Sequence, residues 1–368
     1  MDPVRVIATF ASDPTAGRPY ARYRGGVSVD LVPTSATSWT AELPALQAPG
    51  ERVVDVFERL ADGSEAQVAS VIVTISQPEY VVWTLDFEGD ASADSELANT
   101  AAISDGLEVP MTVLWNPRVW TTNEVSTERQ DAMLEWTKGR LAKGDEIGLH
   151  VHLWTDEVRA AGLVPRLAPN WAGRSDGYDV PITAYPEAEQ RTYIEHALRL
   201  MADRGLPRPT SFRAGGDFAD AATLRVLSAL GFTADCTAVP AGSFGRLRWP
   251  WTLPVDAQPY HPSKDDANAS GDLPLLESPT IGGNTYAFTV STIQPQIRAN
   301  LAAFAAPGKI ATERRAIDIV SHPGTIVPAE RAAIEALLGA LAPLRYDRDS
   351  GPVRFVTLAQ LAKAYAVR

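Results

Sequence analysis

From Tyr80 to the end of the chain, strand-length apolar runs alternate with segments of helical period, and this alternation restricts the fold more than any other feature. A strand reaches a parallel neighbour only through a crossover, so strands separated by helices build a parallel sheet with the helices packed on its faces. The strand runs are Tyr80–Asp86, Val109–Trp115, the run ending in His150-Val151-His152, Thr210–Arg213, Phe232–Asp235, Leu273–Glu277, Ile317–His322 and Val353–Val356. A helix starts at Thr127, with Gln130 completing a capping box, and carries Met133, Leu134, Trp136 and Leu141 on one face before Gly144 stops it. Pro186 opens another, with Tyr193, Ile194, Ala197, Leu198 and Met201 inward and Gly205 at its end. Asp220–Leu230 is a third, and two more run from Pro328 to about Leu341 and from a cap formed by Thr357 with Gln360. The expected fold class is α/β, a (β/α) barrel, incomplete or distorted and seven-stranded, over residues 78–368.

Before the boundary at Ser76-Gln77-Pro78-Glu79 the pattern is different. Short Val- and Thr-rich runs at Val4–Phe10, Gly26–Val32, Trp39–Leu43, Arg52–Leu60 and Ala66–Ile75 are separated by turn residues, and Ala61-Asp62-Gly63-Ser64 has the chemistry of a hairpin turn. Residues 1–77 therefore read as a small all-β sandwich domain, possible in an immunoglobulin-like form, with packing as its expected role.

Charge and cysteine usage exclude several classes of partner. With 33 basic against 45 acidic side chains the net charge is −12, which argues against nucleic acid, since phosphate binding needs clustered Lys and Arg. The single cysteine, Cys236, excludes an intrachain disulfide and a Cys-rich zinc site, and its strand-end setting reads as a buried, inert thiol. No run approaches the ~18 apolar residues of a membrane span, and the N-terminus lacks the pattern of a signal peptide. The expectation from this is a cytoplasmic protein, or a secreted or periplasmic one where a leader has been removed. Oligomeric state is open.

The candidate chemistry lies at strand ends, where barrels of this kind carry it. Side chains alternate across a strand, so His150 and His152 point to one side and both can reach one metal ion; a hydrogen-bonded structural pair is the other reading. Asp86 and Glu88 share the same i, i+2 spacing at the end of the first barrel strand, so one carboxylate can bind metal while the other accepts a proton. Arg213 can brace a carboxylate, and His322 can protonate a leaving group or act as a third ligand. Two imidazoles and a carboxylate suit a divalent metal, zinc first and cobalt, nickel or manganese after it. Two long aromatic loops flank these strands: Pro165–Tyr185 with Trp171 and Tyr178, and a later one with Trp249, Trp251 and Tyr260; either could stack on sugar rings or be a plain surface excursion. His196 reads as a polar helix flank and His261 as a solvated loop residue.

Five segments resemble, in order, the motifs of the polysaccharide deacetylases, the NodB-homology carbohydrate esterases, over roughly residues 80–365: Thr84-Leu85-Asp86-Phe87-Glu88-Gly89-Asp90, Glu146-Ile147-Gly148-Leu149-His150, Ser211-Phe212-Arg213, Gly231-Phe232 through Asp235, and Ile319-Val320-Ser321-His322. The resemblance implies Asp86 as general base, Glu88, His150 and His152 as metal ligands, and His322 as general acid. Arg213 and Asp235 would support them, and Trp154, Trp171, Tyr178 and Trp249 would contact the sugar. The family spaces its two histidines four apart, and four beyond His150 stands Trp154, so either His152 or Asp156 takes the second place. The implied activity is metal-dependent removal of N- or O-linked acetyl groups from a saccharide. The alternatives are a non-catalytic carbohydrate-binding protein on the same scaffold and a metal-dependent amidase acting on a small non-sugar amide.

Overall fold

The computed structural model describes residues 3–366 apart from 13, 15, 16, 287 and 305–309. The chain divides into two compact units, the first comprising Met1–Glu79, Ala305–Arg314 and Tyr346–Pro352, the second Tyr80–Phe304, Arg315–Arg345 and Val353–Arg368.

The first unit contains strands β1 (Val4–Thr9), β2 (Tyr20–Tyr23), β3 (Val29–Asp30), β4 (Val32–Pro33), β5 (Ser38–Leu43), β6 (Gly50–Arg59) and β7 (Glu65–Ile75). They form two antiparallel sheets, β1-β5-β4 and β3-β2-β6-β7. Alternate residues Val4, Val6 and Ala8 of β1 turn toward the same core as Ala21, Leu31, Trp39, Leu43, Val54 and Val56, which makes the pair of sheets a sandwich. The run Gly26–Val32 was expected as one strand, but it splits: β3 pairs with β2, β4 pairs with β5, and Leu31 between them is fully buried as the chain changes sheets. The strand β2 is only four residues long and carries Arg22 among them, so it lacks an apolar run that would identify it in the sequence.

The second unit runs β8 (Glu79–Asp86), α1 (Asp94–Leu107), β9 (Thr112–Trp115), α2 (Thr127–Ala142), β10 (Glu146–Val151), α3 (Thr155–Ala160), α4 (Glu187–Asp203), β11 (Ser211–Ala214), α5 (Ala221–Ala229), β12 (Ala234–Asp235), a small hairpin of β13 (Ser243–Phe244) and β14 (Leu247–Arg248), β15 (Leu276–Glu277), α6 (Pro295–Ala302), β16 (Arg315–Ser321), α7 (Pro328–Gly339), β17 (Val353–Val356) and α8 (Leu358–Tyr365). Its sheet follows the order β15-β12-β11-β10-β9-β8-β16, with β17 also beside β8. Each pairing from β8 round to β15 is parallel. This is a distorted, incomplete (β/α) barrel. All eight residues of β8 and all four of β9 are buried, as strands covered on both faces must be, which is why they read as mainly apolar runs without polar alternation.

Three local expectations are corrected. The first turn of α2 is capped by Ser126, whose hydroxyl accepts from the Arg129 amide, while Gln130 donates instead to the Val125 carbonyl; the capping serine stands one residue before Thr127. The helix α1 was not identified, because its buried residues Leu97, Thr100, Ile103 and Ser104 mix apolar and hydroxyl side chains and leave only a thin stripe. His261 is half-buried instead of freely solvated: its Nδ1 lies 3.0 Å from the Leu275 carbonyl and its Nε2 3.1 Å from that of Tyr365. Among the described residues, no helix is long and apolar enough to cross a membrane.

Candidate active site

The ends of β8, β10, β11 and β16 bring the acids Asp86 and Glu88 together with His150, His152, Arg213 and His322. Past β10, the His152 ring lies with its centroid 4.9 Å from that of His150. The Nδ1 of His150 sits 3.0 Å from the Arg213 carbonyl, and the Nδ1 of His152 2.7 Å from the Tyr178 carbonyl. A carbonyl only accepts, so each Nδ1 carries a proton, which leaves each Nε2 as the atom turned toward the site. Both Nε2 atoms face Glu88, at 3.6 Å for His150 and 2.5 Å for His152. Two Nε2 atoms and a carboxylate converging on one point form a donor set that a cation can join. Ligand atoms of Glu88, His150 and His152 all lie within 4.8 Å of one another, and these three residues could hold a metal ion.

His322 reaches the same carboxylate from β16, with Nε2 3.0 Å from Glu88 Oε1 and 4.0 Å from Asp86 Oδ2. Burial pulls the His322 imidazolium toward deprotonation, but the bond to Glu88 and the charges of Glu88 and Asp86 outweigh it and raise its pKa to about 9. The Tyr178 hydroxyl donates to Glu88 Oε2 at 3.2 Å while its ring stacks on His152, centroids 4.0 Å apart. Gly215 lets the chain after β11 pass close to that ring: a Cβ there would stand 2.5 Å from His152 Cε1.

Asp86 is held from behind. The Arg213 guanidinium, 1% exposed, donates to Asp86 Oδ1 at 3.0 Å, Thr84 Oγ1 at 2.8 Å, Thr280 Oγ1 at 2.8 Å, Asp318 Oδ1 at 3.4 Å and, through Nε, the Cys236 carbonyl at 3.0 Å. Every N–H of the fork thus has an acceptor, which fixes the guanidinium and, with it, one oxygen of Asp86. Asp318 and Asp217 had no role in the sequence reading. Burial pushes each carboxyl up to about 7 against the pull of Arg213. The readable signal for Asp318 was an acid inside the apolar strand run of β16. Asp217 stands at φ 65°, a left-handed conformation unusual for a residue with a side chain, next to Gly216 at φ 66°. The indoles of Trp249 and Trp251 pin this turn by donating to the carbonyls of Gly216 and Asp217 at 2.8 Å each.

The remaining expected site residues fall elsewhere. Asp156 is taken by Arg118, Nε to Oδ1 3.0 Å, and lies outside the Glu88–His150–His152 group. Asp235 has no hydrogen bond to Asp86, Glu88 or the histidines among the described residues; its Oδ1 accepts from the Thr237 amide and hydroxyl at 3.1 and 2.6 Å, and its neighbour across the ladder is Glu277. Trp154 and Trp171, both 5% exposed, are wall residues instead of open sugar platforms: Trp154 lies under Arg118 and Trp171 stacks on Phe218. Tyr178 and Trp249 keep partial exposure. Cys236 is buried beside the Phe212 carbonyl, and burial pushes its thiol well up, as an inert cysteine requires.

The Asp235–Glu277 pair makes a pH prediction. Burial raises both carboxyls, Asp235 to about 6 and Glu277 well above its ordinary range, so the pair retains a proton that the unfolded chain has released. Both folded pKa values lie above the unfolded ones, so the stability this pair contributes is present at low pH and is lost as pH rises through about 6 and beyond. Glutamine at 277 donates permanently what glutamic acid donates only while protonated. Glu277→Gln is expected to flatten the fall of the urea midpoint with rising pH, by on the order of 1–2 kcal/mol at the alkaline end, one pKa unit being about 1.4 kcal/mol. Parallel pH–stability curves for the two proteins would contradict a shared proton.

No protein-family model and no curated protein sequence matches the chain. Among solved structures, a candidate polysaccharide deacetylase from Mycobacterium smegmatis superposes with a TM-score of 0.50 at 16% identity, over 79% of this chain and 91% of its own. A peptidoglycan deacetylase from Bacillus subtilis gives 0.37 at 13% identity over 78% and 91%. A family 4 carbohydrate esterase from Streptomyces lividans, solved with acetate, gives 0.35 at 10% over 73% and 88%. The argument about fold rests on the first. The chain shares the fold of that solved structure, a distorted (β/α) barrel.

Proposed function

We propose that this protein is a metal-dependent hydrolase that removes N- or O-linked acetyl groups from a carbohydrate. The observation that carries the reading is the meeting of Glu88, His150 and His152 within 4.8 Å, with His322 standing 3.0 Å from Glu88 and 4.0 Å from Asp86. The donor set suits zinc first, with cobalt, nickel or manganese as substitutes. Such an ion, when bound, supplies an acidified water and polarises the acetyl carbonyl.

The side chains have separate tasks in this scheme. Arg213 occupies one oxygen of Asp86 and leaves the other to accept the proton of the attacking water. His322, protonated at neutral pH, gives its Nε2 proton to the departing amine or alkoxide. Trp249, partly exposed, is the aromatic surface left for a sugar ring, since Tyr178 is stacked on His152 and lies under Arg174.

The test is acetate release. Protein loaded with Zn²⁺, and separately with Co²⁺, is offered N-acetylglucosamine oligomers and acetylated xylan, then treated with a chelator. Release by the loaded protein, lost on chelation and restored by metal, is the expected outcome. Saccharide binding with no acetate from any substrate would instead make this a binding protein on a deacetylase scaffold.

A further inference from the structure

Glu88 is the acid on which the site converges, yet it stands beyond the end of β8, where the strand ladder no longer fixes it. The last ladder-like bond on this side is Phe87 N–H to the Leu114 carbonyl, 2.9 Å. What fixes Glu88 comes from side chains. Its own carbonyl accepts from Asn116 Nδ2 at 3.2 Å and from the Trp154 indole at 3.1 Å. The next carbonyl, that of Gly89, accepts from Arg118 Nη1 at 3.1 Å. The guanidinium lies 3.7 Å over the Trp154 ring and is itself tied to Asp156 and Glu124 at 2.8 and 2.6 Å. Arg118 is 1% exposed, so neither its charge nor its fork is spent on solvent. Gly89, at φ +85°, closes the turn with no room to spare: a Cβ would meet Arg118 Cβ at 2.9 Å and Asn116 Cγ at 3.0 Å.

We propose that Arg118 and Trp154 are positioning residues that clamp the Glu88–Gly89 backbone and thereby set where the Glu88 carboxylate stands against His150 and His152. The cation–π stack aligns the indole N–H, and the same guanidinium grips the following carbonyl, so the two donors act as one clamp. A purely packing role predicts no such division of labour: filling the same volume needs neither the indole N–H nor a forked cation. The functional weight of the clamp rests on the metal reading above, because displacing a carboxylate ligand by a fraction of an ångström weakens a metal site without unfolding the protein.

Two conservative variants separate the readings. Trp154→Phe keeps a ring under the guanidinium and removes the N–H; Arg118→Lys keeps the charge and removes the fork. Zn²⁺ affinity, measured by competition with a chromophoric chelator, is expected to fall by about 10–100-fold in each, as for other residues that orient ligands. Amide exchange of residues 87–90 in metal-free protein, read by mass spectrometry, is expected to quicken. Affinity and exchange both equal to the native protein's would overturn the clamp, whatever happened to the melting temperature. A native protein that binds no Zn²⁺ would sink the proposed function, and the exchange comparison would then decide the clamp alone.

Discussion

Replacing Asp86 with asparagine is expected to lower acetate release by about 10²–10⁴-fold, the usual contribution of a positioned general base, with little change in the circular dichroism spectrum. The amide oxygen can still accept from Arg213 Nη1, now 3.0 Å from Oδ1, so the bond that seats the side chain is retained. What disappears is the second oxygen's ability to take a proton. The side chain is 5% exposed, so solvent is poorly placed to replace it. Zn²⁺ affinity is expected to stay near the native value, because Asp86 is outside the group that could hold the ion. Full activity in Asp86→Asn would assign the base elsewhere, and Asp217 would be the next carboxylate to test.

Arg213→Met should be the most destabilising single substitution considered, at about 3–5 kcal/mol, the cost typical of removing one partner of a buried ion pair. The guanidinium has five acceptors, and its loss leaves Asp86 and Asp318, 5% and 0% exposed, without their shared cation. The loss also depends on pH in a determinate direction. Freed of Arg213, which pulls it down, Asp318 would titrate higher still, so acidification neutralises it and relieves the penalty. Urea unfolding should therefore separate the variant from the native protein more widely at about pH 8 than at about pH 5. A variant as stable as the native protein, or a gap that widens in acid, would mean that Arg213 does not carry the polar core of the barrel.

Sequence reasoning reached the barrel because burial on both faces of β8, β9 and β10 writes itself as apolar runs, and because Thr357 with Gln360 forms the capping box that its spelling suggests. It read less where a segment's neighbours decide its conformation. The strands β12 and β15 have two residues each, α1 hides its face among hydroxyls, and the split of β3 from β4 depends on which sheet each half meets. The aromatic loops were legible as unusual, but not their use. Trp154 has a carbonyl partner and a guanidinium above it, and only the fold supplies both.

By itself the sequence determined the periodicities, hence a β-rich region followed by alternating strands and helices, and it named residue types able to hold a cation or move a proton. Alternation along a strand is a local property, so His150 and His152 could be put on one side from spacing alone. The tertiary structure decided the partners: Arg213 with Asp318 across 105 positions, Tyr178 with Glu88 across 90, and Asp235 with Glu277. Those choices depend on which strand ends adjoin, and that is fixed by packing the whole barrel.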